Sequence, residues 1–293
     1  QVSLFSILEE KEIQIRGFKV RLPLDIQFIF TSNPEDYTNR GTIVTPLKDR
    51  IGSQILTHYP ESIEIAKKIT EQESKLDSKV ISKIHIPEIA RDIIEQISFE
   101  ARESDLVDKK SGVSARMSIT SLQNLVSSAE RRMIINNEKK TSIRMSDFNS
   151  VISSINGKVE LVYEGEEEGA EQVSYNLISD AVKSLFNKYF PKIEKLSKPG
   201  EETPYDSLLE WFTQKQLVIG DSLNDNEYEE LLLEIIDART IIDKYVKDLD
   251  DNDRFFFIEF ILWGLESFNK LSILRTNNGI EFKDPFNNFI NKI

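Results

Sequence analysis

Three polar residues in the first part of the chain stand where phosphate chemistry would need them. Asn33 closes an apolar run, Phe28-Ile-Phe-Thr-Ser-Asn33, and is followed by Pro34. A side-chain amide at the exposed end of a buried strand can orient a water that attacks a terminal phosphate, because ligands of open α/β sheets sit outside the carboxyl ends of the strands. Arg50 follows in Pro46-Leu-Lys-Asp-Arg-Ile-Gly52. A guanidinium there can stabilise the charge of a phosphoryl group in transfer. Arg116 stands in Gly112-Val-Ser-Ala-Arg-Met-Ser118, just ahead of a strongly amphipathic segment. At a helix start it adds charge where free N–H groups and the helix dipole already favour an anion. Each has a plainer reading on spacing alone: an Asn-Pro turn for Asn33, a surface pair with Asp49 for Arg50, and a solvated side chain for Arg116.

The elements that must carry these residues follow from periodicity. The first residues (Val2, Leu4, Phe5, Leu8) read as the end of a helix. Residues 12–16 and 18–22 alternate apolar and polar around Gly17, a hairpin pattern. Residues 25–30 read as a fully buried strand. Beyond Pro60 the pattern is helical. Ile63, Ala66 and Ile69 share one face. Pro87 opens a second helix carrying Ile89, Ile93, Ile97 and Ala101, and Ile119, Leu122, Val126, Ala129 and Met133 line a third. Ser146 is the expected N-cap of a fourth, with Gly157 its stop. Residues 164–169 (Glu-Gly-Glu-Glu-Glu-Gly) read as a charged, mobile link. Further helices are expected near 172–190, 205–215, 226–248 and 253–274, and the run Phe255 to Trp263 is apolar nearly all round, as a buried helix would be.

Charge divides the chain. Residues 1–158 hold 23 Lys and Arg against 22 Asp and Glu; residues 159–293 hold 14 against 28. A net of −14 in the second part disfavours nucleic acid as its partner, since phosphate contacts need a basic surface. The chain has no cysteine, which removes disulfide and thiolate chemistry and fits a cytoplasmic protein. Two histidines are too few for a histidine-built zinc site, no metal ligands are assigned, and no apolar run approaches the roughly 18 residues of a membrane span.

Taken together, Thr31-Ser-Asn-Pro34, Pro46 to Gly52 and Gly112 to Ser118 resemble three elements of the AAA+ ATPases, specifically the magnesium-chelatase ATPase subunit and its MoxR relatives. In that family they are the first sensor, the arginine finger (with Ile51 for the usual Phe) and the second sensor. Ile86-Pro-Glu-Ile-Ala90 and Arg144-Met-Ser-Asp-Phe148 are similar to lid-helix starts of the MoxR group, and the hairpin to an insertion before the sensor strand. The resemblance covers roughly residues 1–157. It implies a mainly α chain with a small α/β remnant: part of an AAA+ core over 1–58, a four-helix lid over 59–158, and an acidic helical extension over 159–293. It implies ATP and magnesium as cofactors of the parent protein, a homo-oligomeric ring, expected to be a hexamer, and a von Willebrand-type partner subunit that is remodelled or loaded with metal. Asn33 and Arg50 would be catalytic and Arg116 nucleotide-binding.

The phosphate-binding sequence Gly-x-x-x-x-Gly-Lys-Ser/Thr is absent, and Gly157-Lys158 lacks both the earlier glycine and the hydroxyl. The expectation is therefore a chain whose phosphate-binding half precedes Gln1, and which neither binds nor hydrolyses ATP alone. Two rival readings remain: a non-enzymatic acidic helical interaction module with relic sensor residues, and a transcription-activating AAA+ protein, which would need a DNA-binding tail that the −14 charge disfavours.

Overall fold

The computed structural model describes residues 7, 12–21, 27–31, 49, 51–193, 202–276 and 279–285. The chain divides into two compact units, residues 1–59 and 60–293. The described residues are mainly helical with small sheets.

In the first unit, β1 (Glu12–Ile15) and β2 (Phe18–Arg21) pair antiparallel, Ile13 against Val20 and Ile15 against Phe18. Arg16 and Gly17 both have positive φ, 48° and 88°, the combination that a two-residue turn needs to match the strand twist. Arg21 and Lys19 reach the Glu12 carboxylate at 3.0 and 3.4 Å. The strand expected over 25–30 is corrected where it is described. Residues 27–31 pair with no strand, Ile29 is 83% exposed, and Phe28 stacks on Phe30 at 6.2 Å between ring centres. Apolar β-formers favour a strand only where neighbours receive both edges and faces, and no described residue does so here.

The second unit begins with α1 (Ile63–Glu73), whose first turn is capped by the Ser62 hydroxyl accepting from the Ile65 N–H. A single turn, α2 (Ser78–Ile81), leads to β3 (Ile84–His85). Pro87 then starts α3 (Glu88–Glu103), which buries Ile89, Ile93, Ile97 and Ala101 as their spacing requires. Next comes α4 (Arg116–Ile135), burying Met117, Leu122, Leu125, Val126 and Ala129. Asn137 at φ 55° ends it, and β4 (Thr141–Ser142) pairs parallel with β3. A 3-10 segment, Met145–Val151, runs into α5 (Ile152–Asn156) and stops at Gly157. Its cap is not Ser146. Arg144 occupies that place, and the Asp147 carboxylate returns to the Arg144 N–H at 2.8 Å.

The charged link is also corrected. Residues Tyr163–Glu168 form α6, and Gly165 is buried against the Leu106 carbonyl so closely that a Cβ would lie 2.5 Å from it. α7 (Ala170–Tyr189) packs along both α3 and α11 (Arg254–Ser267). Between them come α8 (Asp206–Gln214), β5 (Leu217–Gly220), α9 (Asp225–Leu233) and α10 (Ile236–Tyr245). The single helix expected over 226–248 is thus two, broken where Ile235 leaves helical geometry and is fully buried.

Eleven of the fourteen residues of α11 are buried, so the apolar run from Phe255 is a core helix of its own unit. Gly264 lets the Phe186 ring lie against its backbone, and Phe186 also meets Phe190, Tyr205, Phe260 and Phe268. The helix expected to reach residue 274 ends at Ser267. β6 (Ser272–Thr276) and β7 (Gly279–Lys283) follow, in a three-stranded antiparallel sheet ordered β5-β7-β6. One hydrophobic core runs from Ile84 to Phe282, across the residue where the charge changes sign.

Candidate functional site

Of the three residues singled out for phosphate chemistry, the structure places one. Asn33 and Arg50 lie outside the described residues; Asp49, next to Arg50 in sequence, is helical and exposed. Arg116 is the first residue of α4. It is exposed and makes no ion pair with a described residue. Gly112, at φ 68°, turns the chain into the approach to that helix.

The first turn of α4 is fixed from beneath. Ser118 is buried, its hydroxyl 2.6 Å from that of Ser98 on α3, and it donates to Glu95 Oε2 at 2.9 Å. Glu95 is 3% exposed. Burial pushes its carboxyl above the ordinary carboxylate range, while hydrogen bonds from Thr70 and Ser118 pull it back. Glu95 also lines a cleft of about 510 Å³ between α1, the start of α3 and α4, whose other walls include Lys67, Lys68, Arg91, Ile94 and Leu122. Within it Lys67 bridges Glu88 and Asp92 at 2.5 and 2.6 Å. The arrangement offers an unpaired cation on a helix start, seated on a rigid buried cluster, which is a competent way to present a guanidinium to an anion. Among the described residues there is no group of three or more His, Asp and Glu suited to a metal ion, and no helix long and apolar enough to cross a membrane.

A second polar constellation was not singled out from sequence. Arg132 and Asp147 pair at 2.5 Å with both side chains about 95% buried, and Ser128 donates to the same carboxylate. Arg144 reaches Asp225 at 2.7 Å and lies over the Tyr228 ring at 4.0 Å; the Tyr228 hydroxyl donates to Glu259 at 2.7 Å. Thr141 and the Asp225 N–H add bonds across the same seam, and His85 meets Asp253 at 2.5 Å. Residues before 158 thereby pair their bases with acids that follow it. Two signals for this network stand in the sequence: the Arg144/Asp147 spacing of a helix cap, and Glu259 as the one carboxylate within the apolar run Phe255 to Trp263.

Burial raises the Glu259 carboxyl to about 7, with the Tyr228 hydrogen bond opposing the rise. In the unfolded chain it titrates near 4.5. The folded state therefore holds more protons between these values, and stability falls as pH rises from about 4.5 through about 7. Glu259→Gln should unfold at nearly the same denaturant midpoint as the parent at pH 4.5. At pH 8 it should be more stable by a few kcal/mol, because each tenfold change in proton affinity corresponds to about 1.4 kcal/mol. Equal stabilities at pH 8 would show that the carboxylate is solvated.

Comparison with protein-family models, curated protein sequences and solved structures finds no match to this chain.

Proposed function

We propose that the chain is the C-terminal portion of a chelatase-like AAA+ ATPase, in which residues 59–158 serve as the lid and ATP hydrolysis in a ring remodels a partner protein or loads it with metal. The reading rests on the three sequence elements in order, at Asn33, Arg50 and Arg116. The observation that supports it most is the exposed, unpaired Arg116 at the first residue of a 20-residue helix, held by the buried Ser98–Ser118–Glu95 cluster. A side chain so presented can bind a phosphate oxygen and couple its occupancy to the position of the whole helix.

On this reading Asn33 orients the attacking water, Arg50 enters the site of the neighbouring subunit, and Arg116 contacts the phosphates from the lid. ATP with magnesium, when bound, would supply the transferable phosphoryl group and a positive charge to offset its negative one. The partner, a von Willebrand-type subunit by resemblance, and a cytoplasmic setting belong to the same proposal.

The test is steady-state ATP hydrolysis by the full-length protein. Arg116→Ala should lower turnover by roughly 10²-fold, the loss typical when one donor to a developing charge is removed. Its thermal unfolding should stay within about 0.5 kcal/mol of the parent, as for an exposed side chain. Undiminished turnover would exclude Arg116 from the nucleotide site.

A further inference from the structure

A buried carboxyl lines the cleft between α1 and α3. Glu64, Lys67, Lys68 and Glu71 stand three and four residues apart, so one face of α1 supplies one wall. Glu88, Arg91 and Glu95 repeat that spacing on α3, and Ile86, Ile94 and Leu122 add apolar surface between them. Of the polar residues that line the cleft, Thr70 and Glu95 are the most buried, at 4% and 3% exposed. The volume, about 510 Å³, is that of a small-molecule site.

Glu95 is held by hydroxyls and by no cation. Ser118 donates to it at 2.9 Å, and Thr70 adds a second hydrogen bond. No described base lies within ion-pair distance of its carboxylate; Arg102 and Lys67 act on it only from farther away. The Lys67 ammonium is committed elsewhere, 2.5 Å from Glu88 and 2.6 Å from Asp92, and Arg91 lies 3.9 Å from Glu88. A carboxylate this deep is ordinarily paired with a cation, because hydroxyl donors alone do not offset the loss of water around a charge. Burial accordingly pushes the Glu95 carboxyl above its ordinary range. The lining as a whole carries four carboxylates against three bases, so a cation entering the cleft meets a favourable field. What the buried acid lacks is a positive partner.

We propose that this cleft binds a primary alkylammonium, its nitrogen paired with the Glu95 carboxylate and its aliphatic stem against Ile86, Ile94 and Leu122. An ammonium is a compact charge with three donors. One meets Glu95, and the Thr70 hydroxyl, whose own hydrogen goes to Glu95, has lone pairs for another. A guanidinium is less suited, because its fork needs both oxygens of a carboxylate and Ser118 already occupies Glu95 Oε2. A free amine and the end of a lysine side chain present the same chemistry, and the test separates them. The site uses none of Asn33, Arg50 or Arg116, so it stands apart from the nucleotide reading.

The probe is pentylamine, titrated into the intact chain by isothermal calorimetry at neutral pH, with pentanol as its uncharged counterpart. Saturable binding of the amine is expected, at least tenfold tighter than that of the alcohol. Glu95→Gln keeps the size of the side chain and its bonds to Thr70 and Ser118. It should weaken the amine at least tenfold and leave the alcohol unchanged, with a thermal unfolding midpoint equal to or above the parent's, since an amide carries no buried charge. Nα-acetyl-lysine methylamide is the second probe. Binding comparable to pentylamine shows that the cleft accepts a lysine side chain; binding at least tenfold weaker restricts it to free amines. Absence of amine binding, equal binding of amine and alcohol, or an amine affinity that Glu95→Gln leaves intact would overturn the site.

Discussion

Asp147→Ala should destabilise the unit formed by residues 60–293 by about 3–5 kcal/mol, the usual consequence of removing one partner from a buried ion pair. Asp147 accepts from Ser128, from Arg132 at 2.5 Å and from the Arg144 N–H at 2.8 Å. Its loss leaves the Arg132 guanidinium, 4% exposed, with only the Ser142 carbonyl at 2.7 Å and a weak contact to Thr141. The two effects add in one direction: an uncompensated buried charge, and a 3-10 segment that loses its cap. For a unit of this size each kcal/mol lowers the melting temperature by about 2–4 °C, so a fall of roughly 10 °C is expected by circular dichroism. Asp147→Asn keeps an acceptor in place and should fall between the two. A change below about 1 kcal/mol for the alanine variant would mean that the pair is solvated and contributes no more than a surface bridge.

The second large effect belongs to the proposed ring. In the full-length protein Arg50→Ala should lower ATP turnover on the order of 10³-fold or more, as when an arginine finger is removed from phosphoryl transfer, with nucleotide affinity nearly unchanged. Arg50→Lys should not restore it, because an ammonium cannot reproduce the planar, two-pronged donation of guanidinium. The shared site offers a sharper check. A subunit carrying Arg50→Ala retains Asn33, and one carrying Asn33→Ala retains Arg50. Rings mixed from the two inactive variants should regain part of the activity, because some sites receive the intact residue from each side. Mixed rings as inactive as their parents would place both residues in one subunit's site and remove the trans role of Arg50.

The helical half was legible where side chains report burial directly. Ile89, Ile93, Ile97 and Ala101 on α3 and Leu122, Val126 and Ala129 on α4 lie on the faces that a 3.6-residue period assigns them. Arg116 likewise stands at a helix start, because Gly112 and the amphipathic run behind it mark the boundary locally. What could not be read depends on partners distant in sequence. The strand Leu217–Gly220 is four residues long and becomes a strand only by pairing with residues more than 55 positions later. The carboxylates of Glu164 to Glu168 suggest a solvated link, but the turn is set by Gly165, whose missing side chain lets the chain close on Leu106. The excess of acid after residue 158 reads as a free surface. Part of it instead answers Arg144 and His85, through Asp225 and Asp253.

The core that runs unbroken from α3 through α7 to α11 has a mechanical consequence. Close-packed interiors are stiff and transmit strain, so residues 60–293 contain no soft joint at residue 158 where a movement could be absorbed. On the proposed reading, a rotation imposed at Arg116 would pass through α3 and α7 to α11 with little loss. The acidic half would then work as a rigid pointer, whose direction reports whether the proposed anion occupies the helix start.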